Sequence, residues 1–477
     1  MDIGDLEKLR PCGRLETYST ARHHLGYYNN VALTATYNSS SQSSDALKDS
    51  IYAALKHVIA KHPVLGAVPV DEGKSYPDTF FVRLPLIDLS RSVEIRDRKS
   101  KIPSVGEVDA ELNQLLAEQH ARNFKDDTGT NPFWRLVVLT SSTGKDTFTA
   151  TWTFHHALSD GASAFIFHET FLDGLNNMEA VPNADSIVET PTSPLLPAFE
   201  DLHPMTISWP FFLTTISKAL LPSIFDRRLE KLWTGNPVPT KIPSPPQCHF
   251  RTLILPANTT KLLAEASRKE NVSVTCTLEC LIAASLFTHL PPSQFDKIKF
   301  SNPMSMRRFL KDVPDDQMLV AVNQYHFTHH RTSSLHECRV LQNFSWAEAR
   351  AVKSTIEAEL AKAGADNPIA LFKYVSNMHD FVNGHLGKPR GSSVELSNIG
   401  VYRNRDEGGR WTIGRVTFSQ CPNPTAEPLC VSVVTGGDGC ANLNFCWFEG
   451  AVEEGLVEEI MEGVRQGVEA MVGERQL

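Results

Sequence analysis

His155-His156-Ala157-Leu158-Ser159-Asp160-Gly161 has the form HHxxxDG and sets a pair of imidazoles just ahead of a carboxylate. A neutral imidazole can take a proton from a hydroxyl or amine as that group attacks a thioester, and a positioned base contributes ~10²–10⁴-fold. The chemistry indicated is acyl transfer, with His156 the candidate base. Asp160 is better suited to holding the turn, either by accepting backbone N–H groups or by pairing with an arginine elsewhere in the chain. A metal reading is weaker. Adjacent histidines on a strand point to opposite faces, and no third ligand follows at a zinc-like spacing. A motif with four fixed positions also recurs by chance, so its surroundings must decide.

The stretch from Asp146 to His156 alternates threonine with apolar residues, the period of two of a strand with unlike faces. This places His156 on the face of Phe148, Ala150, Trp152 and Phe154. Apolar residues at helical spacing follow from Gly161, with Asp160 or Ser159 as cap and Gly174 as stop. The motif is therefore expected at a strand-to-helix turn. Phe133–Leu139 is expected to form a hairpin with the motif strand about Ser141 to Lys145. Upstream, the pattern predicts helices over Asp45–His62 and Val108–Asn123 and a strand over Val64–Val70.

At 477 residues the chain exceeds one ordinary core, and two bodies fit best. From about 181 to 246 prolines are frequent and periodicity is poor, as in a long connection. The expected organisation is residues 1–180, a crossover linker 181–246, and residues 247–477. The second half reads as a strand at His249–Leu255 and helices at Ala257–Lys269 and Val274–His289. Strands follow at Ile298–Met304, Val394–Tyr402, Arg415–Ser419, Leu429–Thr435 and Asn442–Phe448, before a closing helix at Glu453–Met471. Both halves mix strands and helices, so the fold class expected is α/β in two comparable lobes.

A net charge of -9 and 21% charged residues exclude bulk affinity for nucleic acid or anionic membrane. The polar, acidic N-terminus lacks signal or transit character, and nine cysteines without C-x-x-C spacing suit a reducing compartment, so a cytoplasmic location is expected. The sequons at Asn38, Asn258, Asn271 and Asn343 are then expected to be unused. No apolar run reaches the ~18 residues of a membrane span. The segment Trp209–Phe225 is apolar enough to touch a membrane surface or line a channel, although a crossover packed on the protein body is the plainer expectation.

The motif has company: the segment Pro11 to His23, Asn131-Pro132-Phe133-Trp134-Arg135-Leu136, Asn302 to Leu310 with its Arg307-Arg308 pair, Leu396-Ser397-Asn398-Ile399-Gly400, and Phe418-Ser419-Gln420. Together these resemble the fungal alcohol acetyltransferase family, within the CoA-dependent acyltransferase superfamily that also holds plant acyltransferases and peptide-synthetase condensation domains. The similarity runs over nearly the whole chain. It implies two chloramphenicol-acetyltransferase-like lobes, each a mixed sheet with helices, and an active-site tunnel between them.

Carried over by position, the resemblance implies His156 as catalytic base, His155 as a supporting residue, and Asp160 as a structural acid paired with Arg307. Gly161 would give the turn its tight backbone. Ser397 and Asn398 match an element that faces the tunnel in relatives, where they could bond the acceptor or the oxyanion. Gln420 would border the same tunnel. Lys388 and Arg390, in a basic loop, are candidates for the phosphates of CoA. The DFGWG loop of the plant branch is absent from this chain.

The reaction implied is direct acetyl transfer from acetyl-CoA, a cosubstrate, to a hydroxyl of a small alcohol or secondary metabolite. No bound cofactor or metal is implied, and a monomer is expected. An N-acyltransferase, a condensation-domain-like enzyme using a carrier-bound donor or closing a ring, and a non-catalytic binding protein on the same fold stand as alternatives. Retention of both histidines and the aspartate speaks against the last.

Overall fold

The structure is a computed structural model that describes residues 3–473, apart from 41–46, 105–106, 127, 142–145, 180–181, 183–184, 221–229, 244–245, 333–339 and 405–407. Two mixed sheets carry it. The first has β2 (Val31–Ser39), β6 (Val93–Asp97), β7 (Trp134–Thr140), β8 (Thr147–Phe154) and β14 (Trp411–Gln420), in the order β14-β2-β8-β7-β6. The second has β10 (Cys248–Leu255), β11 (Lys297–Ser305), β12 (Val322–His330), β13 (Val394–Val401), β15 (Leu429–Thr435) and β16 (Ala441–Phe448), in the order β10-β16-β15-β13-β11-β12. Smaller sheets join β1 (Glu7–Pro11), β4 (Phe80–Arg83) and β3 (Ala67–Val70), and β5 (Leu86–Asp88) with β9 (Ile187–Glu189).

The alternation in β8 separates two environments. Phe148, Ala150, Trp152 and Phe154 face a core closed by the helices Leu47–Lys61 and Gly161–Asn177, where Trp152 stacks on Phe167 at 4.2 Å. The opposite face carries threonines, with Thr151 bonded across to Thr34 at 2.9 Å and Thr149 to Thr36 at 3.3 Å. In the second lobe the sheet packs against the helices Val274–His289 and Glu454–Gly473. Helix Ala110–Ala121 packs its leucines between Val137 and Leu139 of the first sheet and Phe250, Cys430 and Cys446 of the second.

Three expectations need correction. The strand at Arg415–Ser419 was assigned to the 247–477 half, but β14 leaves that half's sheet and pairs antiparallel with β2 at the edge of the first sheet, which therefore takes strands from both halves. Gly174 does not end its helix, which runs to Asn177. A Cβ there would lie 2.7 Å from Ala54 Cα, so the glycine serves close helix packing instead. The strand expected at Val64–Val70 begins only at Ala67, because Pro63–Gly66 winds into a 3-10 turn. In the 209–225 segment, helix Trp209–Leu220 leaves Trp209 75% and Leu213 57% exposed while Phe212 meets Tyr374, so it packs on one side only. Residues 221–225 of that segment lie outside the described residues, as do 142–145 of the β7–β8 connection.

Among the described residues no single helix is long and apolar enough to cross a membrane.

Candidate active site

β8 ends at Phe154, and the chain then turns. His155 N–H still reaches Phe133 O, but Leu158 N–H bonds back to His155 O, and His155 Nδ1 accepts from Ala157 N–H at 3.0 Å. His156 therefore stands on a turn, not on the strand's apolar face as expected. Its Nδ1 lies 3.0 Å from Ser159 O. A carbonyl can only accept, so Nδ1 carries the proton and Nε2 presents a lone pair. His156 keeps partial exposure, whereas His155 is buried. Burial first, and then the nearby Arg22 cation, lower the His156 pKa to about 4, against the Ser159 and Asp160 oxygens that oppose the shift. The ring is neutral at pH 7.

Asp160 adopts extended backbone before helix Gly161–Asn177 and caps it, accepting from Ser163 N–H at 2.8 Å. Its Oδ1 also accepts from Arg307 Nη2 at 3.0 Å, and its Oδ2 from Ala321 N–H at 3.1 Å. Arg307 further donates to Gln317 O, Leu319 O and Ser163 Oγ. The motif turn is thus tied to the segment between β11 and β12 of the second lobe. Gly161 has an ordinary backbone conformation, and its smallness answers packing: a Cβ would lie 2.5 Å from Ile399 Cγ2 on β13.

His155 belongs to a cluster that sequence reading missed. Its Nε2 lies 3.1 Å from Glu72 Oε1, and His23 Nδ1 lies 2.7 Å from Glu72 Oε2. The spacing would admit a metal ion. However, the far nitrogens of both rings accept backbone N–H groups, from Ala157 and Phe124, so the nitrogens facing Glu72 are protonated donors. Glu72 faces both rings, His155 from off the donor axis, and its pKa falls to about 2 as the interactions with His23 and His155 outweigh its burial. His23 stood in the Pro11–His23 segment, but nothing local in sequence pointed to Glu72.

Tyr28 lies with its ring 5.8 Å from His156 and donates to Gln420 Oε1 at 2.9 Å. Gln420 donates in turn to Glu395 Oε1 at 2.7 Å. The Arg22 guanidinium is sandwiched between the rings of Tyr18 and Tyr28, with no ion pair among the described residues. Ser397 is buried on β13 beside Ser432, and Asn398 is held by Thr275 Oγ1 and Gly400 N–H, so its amide is already bonded. Arg390 is 2% exposed, its Nε donates to Asn236 O and its Nη1 to Pro424 O and Ala426 O, and its Nη2 is buried without an aligned partner, so the guanidinium is turned into the protein. Lys388 is exposed.

Two cavities open among the described residues. One of about 180 Å³ opens on the threonine face beside Thr34, Thr36, Thr417, Arg415 and Asp438, and one of about 300 Å³ lies by His24, Glu72 and Lys125. His156 lines neither.

A histidine-bearing turn clamped between two mixed α/β lobes defines an acyltransferase of the chloramphenicol-acetyltransferase-like fold. Solved structures agree on that fold: the TRI3 trichothecene 15-O-acetyltransferase from Fusarium sporotrichioides aligns with a TM-score of 0.71 at 11% identity, over 97% of this chain and 94% of that one. The first condensation domain of the CDA synthetase aligns with a TM-score of 0.61 at 12% identity, over 98% and 97% of the two chains. The chain belongs to the alcohol acetyltransferase family, whose model matches residues 11–82 and 104–464. It is 34% identical over 471 residues to the probable alcohol acetyltransferase crmB of Aspergillus fumigatus, covering 95% of this chain and 97% of that protein. It is 25% identical over 480 residues to the probable alcohol acetyltransferase FCK4 of Fusarium pseudograminearum, covering 97% and 94%.

Proposed function

We propose that this acetyltransferase moves the acetyl group of acetyl-CoA directly to a hydroxyl of a small alcohol or secondary metabolite, with His156 as general base. The observation that supports this reading is the bond from His156 Nδ1 to Ser159 O, which leaves the lone pair of a neutral Nε2 available to a hydroxyl. In the step, Nε2 takes the hydroxyl proton as the oxygen bonds to the thioester carbonyl. The tetrahedral oxyanion then collapses, the C–S bond breaks, and the imidazolium returns the proton to the CoA thiolate.

Asp160 and Arg307 hold the turn and touch no reacting atom in this account. His155, pinned by Glu72, fixes the backbone that carries His156. Ser397 is the better candidate of the β13 pair for the oxyanion or acceptor, since the Asn398 amide is already bonded. Gln420 and Tyr28 border the acceptor side, and Lys388 is left as the phosphate candidate of its loop. The two substrates meet at His156 from opposite mouths of an interlobe tunnel. Other family-compatible donors and amine acceptors are outcomes of the test.

Direct transfer needs both substrates bound at once. Initial rates at several acceptor concentrations should give intersecting double-reciprocal lines, and the protein's mass should be unchanged after incubation with acetyl-CoA alone. Parallel lines with a gain of one acetyl group would overturn the proposal in favour of a covalent acyl-enzyme.

A further inference from the structure

Far along the sequence from the motif, three metal-ligating side chains converge from three elements: Cys280 on helix Val274–His289, His329 on β12, and Glu348 on helix Trp346–Ala361. One ligand atom from each lies within 4.8 Å of the others. Cys280 and His329 are buried, while Glu348 keeps 21% side-chain exposure and opens the cluster to solvent.

His329 Nδ1 is fully buried and makes no aligned hydrogen bond. Glu348 Oε1 approaches it at 3.1 Å from off the donor axis. Such a contact is poor for a hydrogen bond but suits two ligands of one ion. Zinc bonds nitrogen and oxygen near 2.0–2.1 Å and sulfur near 2.3 Å, so tetrahedral neighbours sit about 3.3–3.6 Å apart. Separations of up to 4.8 Å exceed those edges, so binding draws the three side chains together.

The far side of the ring supplies the second observation. His329 Nε2 faces Glu279 Oε1 at 3.3 Å, and Glu279 is itself fixed by Tyr325 OH at 2.7 Å and Asn302 Nδ2 at 2.8 Å, all buried. A carboxylate behind the imidazole sets the tautomer and raises the basicity of the ligating nitrogen, the arrangement found behind metal-bound histidines. The His23–Glu72–His155 cluster differs in this respect, because both of its inward nitrogens carry protons.

We propose that Cys280 Sγ, His329 Nδ1 and Glu348 bind one zinc ion or a similar thiophilic divalent cation, with water in the fourth position. The ion pins two helices to β12, the edge strand of the second sheet, whose neighbour β11 leads directly into Arg307. Against its burial, the Glu279 and Glu348 carboxylates raise the His329 pKa, and burial raises that of the Cys280 thiol, so binding displaces a proton from each to solvent and affinity falls as pH drops.

The test is equilibrium dialysis of the full chain against zinc, followed by metal analysis, with cobalt substitution read by absorbance. The expected result is about one zinc per chain, a thiolate-to-cobalt charge-transfer band, and a melting temperature that chelation lowers and zinc restores. Cys280→Ser should lose the ion and the band. Glu348→Gln, at the exposed edge, should weaken binding at least tenfold while keeping acetyl transfer. Should Cys280→Ser fail to fold, the cobalt band of the intact chain and the Glu348→Gln titration decide. Less than about one-tenth zinc per chain with no cobalt band, or zinc retained undiminished by Glu348→Gln, overturns the proposal.

Discussion

At His156 a single hydrogen bond decides which nitrogen can work. With Nδ1 committed to Ser159 O, Nε2 is the base, and burial beside Arg22 holds the ring neutral down to about pH 4. The sign of the pH effect follows. Activity is lost when the base is protonated, so kcat/KM should stay level from pH 7 through 5.5 and fall on the acid side only near pH 4, where an unperturbed histidine would already fail near 6.5. Rates taken in short assays, before acid unfolding intervenes, check this, and an acid limb centred near 6.5 would contradict the assigned environment. The identity of His156 as the candidate base was legible from the motif, because its chemistry is local. Its supports were not, since Glu72 and Tyr28 meet the histidines only through tertiary packing. The setting of Arg390 was illegible for the complementary reason: a basic loop looks solvated in sequence, and only the fold shows carbonyls accepting from its Nε and Nη1.

At the scale of elements, the turn is a clamp between lobes. Asp160 both caps a helix and receives Arg307, so Asp160→Ala removes a cap and strands a cation that is 17% exposed. Breaking a buried pair costs ~3–5 kcal/mol. Urea unfolding should show a loss of at least ~2 kcal/mol for Asp160→Ala, less for Asp160→Asn, which keeps the cap, and an unchanged midpoint for both would reject the clamp. Gly161 makes a second prediction. Gly161→Ala drives a methyl into Ile399, and overpacking costs ~1–3 kcal/mol, so Gly161→Ala should destabilise the protein and Ile399→Ala in the same chain should recover part of the loss. No coupling between the two changes in a double-mutant cycle would show that the contact is relieved elsewhere.

Elements also show what sequence pattern can carry. The helices Ala257–Lys269 and Val274–His289 have the bounds expected, the second because Ser273 caps it by accepting from Cys276 N–H. The strand β12 and helix Trp346–Ala361 were not anticipated. β12 is an edge strand with broken alternation, His326 exposed and Phe327 half-buried, and the helix is only weakly amphipathic, burying Ala349 and Val352. The transfer of β14 into the first sheet was hidden for another reason. Period and propensity specify a strand but not its partner.

For the whole molecule, the shared strand β14 and helix Ala110–Ala121 join the lobes, so acid unfolding should be a property of the entire chain. Burial lowers His62, His155, His156 and His168 to about 4 and His120 to about 3. The unfolded chain protonates these histidines near pH 6.5, so between about 6.5 and 4 it binds more protons than the folded chain, and stability falls as pH drops through that window. Glu395, raised to about 7, and Glu200, Glu427 and His329, also raised, act in the opposite sense but are outnumbered. Urea midpoints should therefore be lower at pH 5 than at pH 7, and a higher midpoint at pH 5 would show that the histidines are not buried in neutral form.

The central claim is that His156 Nε2 removes the acceptor proton in a direct transfer. It is tested most directly by comparing single-turnover acetyl transfer from labelled acetyl-CoA in the wild-type chain and in His156→Ala, with circular dichroism showing both folded. The account predicts a loss of ~10²-fold or more in the rate at full occupancy of both substrates. A folded His156→Ala enzyme that transfers acetyl at close to the wild-type rate would contradict it.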